Sequence, residues 1–421
     1  MWLIGNGLAF LALAQPPQEL PKIPPLSTLE AEVANGLEPR VLTLDECLAM
    51  SMEHQPRIQA AMASLRAARA AHSGIHSLRG LAKLSPDLGI RKSQSDHGLA
   101  VANAVLRQET EDTRYAVRRA YFTVIYAEAQ AERLRRLAEI LEKGNKKTSP
   151  NVWLDDTFGI SSRLRMTLTK TRSNLAIAEV GRLKARYLLL EEMGGKRAIG
   201  FLPEPAEKTL PKPIINITLD ELESLMGEHR GERILAREGV AIANLEAEAQ
   251  RRSLPFKFIS NSFASFSSNN ATPVPTPERG GEYRPGAINL EMPSNFGGPK
   301  RYRVERAEAL ADRAELTDQT TTNLTNLEAR VAFLTLREIE RRILADKASI
   351  AEVRMIFMRA SQSSLSSQDG MVLGQAVEIL VDYEELRLKH VLIASELMRE
   401  TCGALEIPFE PRQPDPSIPA R

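Results

Sequence analysis

Cysteine, aromatic side chains, net charge and long apolar runs are all scarce in this chain. Cys47 and Cys402 are the only cysteines in 421 residues and stand far apart. They supply neither a zinc-ligand spacing nor a disulfide framework. Aromatic residues make up 5% of the chain, which is thin for a compact globular core. The formal net charge is +1, so there is no basic footprint for nucleic acid and no acidic tail, and no nucleic-acid partner is expected. Past the N-terminus no apolar run approaches the roughly 18 residues of a membrane-spanning helix. No Gly-x-x-x-x-Gly-Lys-Ser/Thr loop occurs, so nucleotide binding has no support.

What the chain does have is Ala, Leu, Glu and Arg in long stretches. Residues 99–143 contain neither proline nor glycine. Val117, Tyr121 and Val124 start an apolar stripe there, and Leu134, Leu137 and Leu141 continue it at helical spacing. Residues 161–193, 217–252, 302–360 and 371–401 read as further long helices. Many stripe positions are Ala, which lets helices approach closely. Helices this long and thin pack as antiparallel coiled-coil hairpins against chain neighbours or other subunits. The expected class is mainly α, with long antiparallel helices and one small β-hairpin.

Fixed offsets argue for a duplicated unit. Thr43-Leu44-Asp45-Glu46 recurs as Thr218-Leu219-Asp220-Glu221, and Glu53-His54 as Glu228-His229, all at an offset of 175. In both copies the threonine is an N-cap with glutamate at the capping-box position. Ser161, Met166, Leu168, Leu175 and Met193 recur as Ser366, Met371, Leu373, Leu380 and Met398 at an offset of 205. The second copy is therefore longer between the two sets, and residues 255–298 are the natural insertion. This divides the chain into a signal peptide (1–14), a Pro-rich linker (15–40), a first helical repeat (41–200), a linker (201–215), a second repeat (216–404) and a tail (405–421). The signal peptide rests on the apolar run 2–13 and on Ala12-Leu13-Ala14 before Gln15, although no basic residue precedes the run. No cysteine follows to carry a lipid.

The insertion carries the β signal. Ile288, Leu290 and Met292 alternate with Asn289 and Glu291, and Phe256 and Phe258 flank Lys257 in the partner strand. Such a hairpin suits a packed core or a membrane barrel with lipid outside. At the equivalent place the first repeat has only the polar, unalternating residues 72–98.

In order and spacing the chain resembles the TolC-like outer membrane efflux family. LTLDECLAMSMEHQPRIQAA at 42–61 is similar to its first helix, and TRYAVRRAYFTVIYAEAQ at 113–130 to its long helix. GISSRLRMTLTKTRSNLAIAE at 159–179 looks like the return helix, and MPSNFGGPKRYRVERAEA at 292–309 like the exit from a strand into a charged helix. The resemblance covers about residues 42–404. It implies a homotrimeric tunnel with a periplasmic α-barrel and an outer-membrane β-barrel. It also implies a passive export conduit in a tripartite efflux or type I secretion system, with a periplasmic adaptor and an inner-membrane pump as partners. Gly159, Ile160 and Ser161, with Leu365 and Ser366, match the adaptor-docking tips. Phe256, Phe258, Ile288, Leu290, Met292, Gly297 and Gly298 would form the membrane hairpin. The missing first hairpin leaves a second expectation, a periplasmic helical scaffold without a conducting barrel. A cytoplasmic coiled-coil protein is a third.

No catalytic constellation stands out, and neither an enzyme nor a cofactor is expected. Ser161-Ser162 and Ser366-Ser367 have no paired His and Asp. His72 and His76 have i, i+4 spacing with His97 nearby. Without a local carboxylate or cysteine cluster they read as solvated surface histidines rather than metal ligands.

Overall fold

The computed structural model describes residues 37–80, 85–147, 157–255, 259–262, 292–362 and 367–411. From Pro39 onward the chain forms one compact unit, and helices dominate it. Strand β1 (Pro39–Leu42) leads into helix α1 (Leu44–His54), followed by α2 (Pro56–His76), α3 (Leu88–Lys147) and α4 (Thr157–Glu192). A short helix α5 (Lys196–Ile199) and strands β2 (Leu202–Pro205) and β3 (Lys212–Pro213) join the halves. The second half repeats the plan with α6 (Leu219–His229), α7 (Gly231–Arg252), strands β4 (Ile259–Asn261) and β5 (Asn295–Gly297), α8 (Lys300–Gln362), α9 (Ser367–Glu400) and β6 (Phe409–Glu410).

The predicted capping boxes both form. Thr43 accepts from the Glu46 backbone N–H while the Glu46 carboxylate accepts from the Thr43 N–H, at 3.3 and 2.8 Å. Thr218 and Glu221 do the same at 3.3 and 2.9 Å. Each helix that follows breaks after eleven residues, so the single helix expected over 217–252 is two. Pro56 breaks the first, since its ring removes a backbone donor and fixes φ. The second breaks at the extended Arg230, just before Gly231. The long helix read over 99–143 begins upstream at Leu88. At 1.5 Å rise per residue, α3 and α8 are each about 90 Å long.

α3 is the central strut, packing against α1, α2, α4, α7 and α9, while α8 packs against α6, α7 and α9. One core cluster joins Leu222, Met226, Leu336, Ile393 and Leu397, and another joins Leu137, Leu141, Leu168 and Val377. A third is alanine-rich, with Ala243, Ala247, Ala307, Ala311 and Ala314 between α7 and α8. Small side chains there bring the helix axes close.

Each half is also tied at its ends by strands too short to show in the sequence. β1 pairs parallel with β2, Pro39 opposite Leu202 and Leu42 opposite Pro205. β3 pairs antiparallel with β6, Lys212 opposite Glu410. In both halves the segment before the first helix thus meets the segment after the last. No described helix is long and apolar enough to cross a membrane.

Candidate functional site

The insertion between α7 and α8 is described at its base. β4 and β5 run antiparallel with Ile259 opposite Gly297, Ser260 opposite Phe296 and Asn261 opposite Asn295. The Ser262 N–H extends the ladder to the Ser294 carbonyl at 2.9 Å. The pairing therefore reaches past the alternating segment 287–293 toward the helix. Gly298 closes it with φ +96, a conformation that disfavours any residue with a Cβ. Pro299 and Lys300 then open α8.

Phe296 anchors the base. Its ring is fully buried among Val101 of α3, Ile242, Ala243 and Ala247 of α7, and Ala307 and Ala311 of α8. The Arg306 guanidinium lies 5.6 Å from its centroid. Met292 belongs to the same cluster. Met292, expected in the membrane hairpin, is buried against the helices.

A buried polar network grips the backbone beside this anchor. Glu246 of α7 is fully buried and accepts from Arg91 of α3 at 2.5 Å, Gln94 of α3 at 3.1 Å and Gln250 of α7 at 2.7 Å. Arg91 also donates to the Asn261 carbonyl at 3.2 Å, so α3 holds β4 directly. Gln250 reaches the Ser260 hydroxyl at 3.3 Å. Arg303 of α8, likewise fully buried, donates to Gln250 Oε1 at 3.1 Å and to the Leu254 carbonyl at 3.4 Å. Asp87 flanks Arg91 at 3.3 Å and adds a second negative charge. Three helices thus each send one long side chain to the chain where it leaves the bundle. Glu246 and Arg91 form a buried ion pair, tolerated because it is also hydrogen-bonded, while Arg303 is held by neutral acceptors. The arrangement positions backbone; it is a mount for whatever residues 263–291 form.

No family model matches the chain, and no curated protein matches it. Solved structures do. The outer-membrane channel OprN has a TM-score of 0.63 at 13% identity, over 86% of this chain and 90% of that one. The CmeC outer membrane channel of Campylobacter jejuni scores 0.61 at 12% identity, over 88% of this chain and 87% of that one. The open state of the Neisseria gonorrhoeae MtrE outer membrane channel scores 0.62 at 12%, over 86% and 89%. The fold is TolC-like.

Within this TolC-like fold the residues singled out in the sequence fall into three groups. Met292, Gly297 and Gly298 lie together at the base of the hairpin. Phe256, Phe258, Ile288 and Leu290 lie outside the described residues, as do Leu365 and Ser366. Gly159, Ile160 and Ser161 fall in the first turns of α4. Sequence reasoning missed Glu246, Gln250, Arg91 and Arg303. Glu246 and Gln250 share an i, i+4 face, but Arg91 is 155 residues from Glu246 and nothing local marks the pair.

Proposed function

We propose that this chain is an outer-membrane channel component of an efflux or type I secretion assembly, working as a homotrimer with a periplasmic adaptor and an inner-membrane pump. It would be a passive conduit, with energy supplied at the pump and no chemical step of its own. The observation that carries this reading is the likeness to several outer-membrane channels over 85–88% of the chain. It spans both helical halves rather than a shared hairpin alone. The uncovered faces of the helices support assembly. Met166 and Ile177 on α4 and Leu316, Leu334 and Leu344 on α8 are each more than 60% exposed. Single exposed leucines are ordinary, but large apolar side chains spread along long helices favour lateral packing against further copies. Adaptor docking is assigned to the helix tips at Gly159, Ile160 and Ser161 with Leu365 and Ser366. The outer-membrane lipid contact is assigned to the hairpin at Phe256, Phe258, Ile288 and Leu290.

A second reading is a periplasmic scaffold on the same frame. It is favoured by the first repeat, where α2 and α3 are joined by residues 77–87 with no strand among those described. Two strands per subunit would give a trimer about six, which is narrow for a conducting barrel. Membrane fractionation, cross-linking and planar-bilayer conductance on the native protein separate the readings. A trimer in the outer membrane that conducts supports the conduit. A trimer that fractionates as soluble periplasmic protein supports the scaffold, and a stable cytosolic monomer overturns both. Leu290→Arg against Asn289→Arg refines the result. A charge on the lipid face of a membrane barrel costs about 2–4 kcal/mol at the midplane and far less facing the lumen. The conduit reading therefore expects only Leu290→Arg to impair insertion.

A further inference from the structure

We propose that His72, His76 and Asp96 form a binding site for a divalent first-row transition-metal ion, with Zn2+ as the expected occupant. The sequence showed two histidines at i, i+4 and no carboxylate beside them. The fold supplies one from the neighbouring helix. Asp96 of α3 places Oδ1 2.8 Å from His72 Nε2 and 3.1 Å from His76 Nε2. The three ligand atoms lie within 4.8 Å of one another. Ligand atoms around a tetrahedral Zn2+, at about 2.0–2.1 Å from the metal, sit about 3.3 Å apart, so the set needs little movement to close on an ion. The two imidazoles are stacked, centroids 4.3 Å apart, and both present Nε2 to the same oxygen. His97, adjacent to Asp96, takes no part. Its Nδ1 pairs with Glu238 of α7 at 2.6 Å.

The donor set fits the ion. Two neutral imidazoles and one carboxylate suit borderline divalent metals, and three protein ligands leave a position for water. Binding requires each imidazole to carry its proton on Nδ1, so that the Nε2 lone pairs face the metal in place of their present contacts with Asp96 Oδ1. The location gives the ion a role. His72 and His76 occupy the last turns of α2, and Asp96 lies beyond the connection to α3. A metal there would clip the two helices together at the place where the second repeat holds its hairpin by a buried network. It would close a loop of some twenty residues and stabilise the folded chain by mass action. This inference does not depend on the conduit reading.

The test uses the full chain, stripped with chelator and titrated with Zn2+ against a chromophoric competitor, with Co2+ as a spectroscopic probe. The expected result is one Zn2+ per chain, a higher Tm with Zn2+ and a tetrahedral Co2+ absorption band. His76→Gln and Asp96→Asn should each weaken Zn2+ by more than about tenfold, since even loss of an outlying partner costs 10–100-fold. His97→Gln should bind as wild type. Circular dichroism checks that the variants fold, and His72→Gln replaces either one that does not. Absence of stoichiometric binding, wild-type affinity in the His76 and Asp96 variants, or equal loss in His97→Gln would each overturn the site.

Discussion

The two repeats share a frame and differ in what stands between their second and third helices. In both, an eleven-residue capped helix breaks into a second helix, which packs on a third of about 90 Å before a return helix closes the unit. Both return helices end in the same way. The Gly195 N–H donates to the Leu190 carbonyl and the Gly403 N–H to the Met398 carbonyl, at 2.9 and 2.8 Å. These are the long-range bonds of a Schellman cap. In the first repeat residues 77–87 lie between α2 and α3, with no strand among those described. In the second, residues 253–299 hold the paired strands, and the network of Glu246, Gln250, Arg91 and Arg303 is built around them. At the offset of 175, Glu246 corresponds to Ala71 and Gln250 to Ile75. The polar grip therefore belongs to the insertion and not to the repeat. A helical frame can carry or omit the strands provided the residues facing their base change with them.

The largest expected effect comes from giving the second repeat the first repeat's residue. Glu246→Ala leaves Arg91, Gln94 and Gln250 without their shared acceptor. Removing one partner of a buried ion pair costs about 3–5 kcal/mol, so the urea midpoint of the purified chain should fall by that equivalent. A loss below about 1 kcal/mol would mean that the network does not hold the base.

The next comparison is at the helix break. Arg230 is buried and pairs with Glu328, with Glu400 at 3.1 Å and with Glu232 at 3.0 Å. Burial pushes its guanidinium pKa down, but Glu400, Glu232 and Glu328 more than offset this and hold it above its usual value. The first repeat has Gln55 at that position, donating to the Glu192 carbonyl at 3.0 Å. Arg230→Gln takes the ion-pair partner from the half-buried Glu328, while Glu400 keeps Arg399, and should cost about 2–3 kcal/mol, whereas Gln55→Ala should cost about 1 kcal/mol. Equal losses in thermal denaturation would erase the distinction between a charged and a neutral joint.

A smaller difference is expected at the return-helix caps. Gly194 has φ +125, and a Cβ there would lie 2.7 Å from the His54 Cβ. Its counterpart in the second cap is Cys402, a non-glycine residue at φ 47. Gly194→Ala should destabilise by about 2 kcal/mol, from strain and overpacking together. Cys402→Gly should stay within about 1 kcal/mol of wild type, because relief of the positive φ offsets the lost thiol contacts. The smallest effect should also be the most symmetrical. Thr43→Ala and Thr218→Ala each remove one capping box and should each cost about 1 kcal/mol. A clear inequality between them in matched melts would break the equivalence of the two frames.

The features legible in the sequence were those with local causes. Thr43 and Thr218 announce their helices because a cap and its glutamate are three residues apart. The long helices show because no proline or glycine interrupts 99–143 and the apolar stripe keeps its period. The break at Gln55 has a local signal in Pro56, whereas the break at Arg230 has no proline to mark it. The end strands were invisible for a different reason. PRVL, LPEP, KP and FE are too short, and three of them too rich in proline, to show a period of two. Their pairing is set by partners well over a hundred residues away.

By itself, then, the sequence determined a duplicated, helical chain with one inserted pair of strands, because capping, periodicity and repeat offsets act over a few residues or as copied text. Only the tertiary structure decided where charge is buried and which distant groups meet. Arg91 finds Glu246, Asp96 finds His72 and His76, and Met292 packs into the buried cluster of Phe296. Each of these depends on which faces of separate helices are brought together, and packing sets that geometry only once the whole frame has closed.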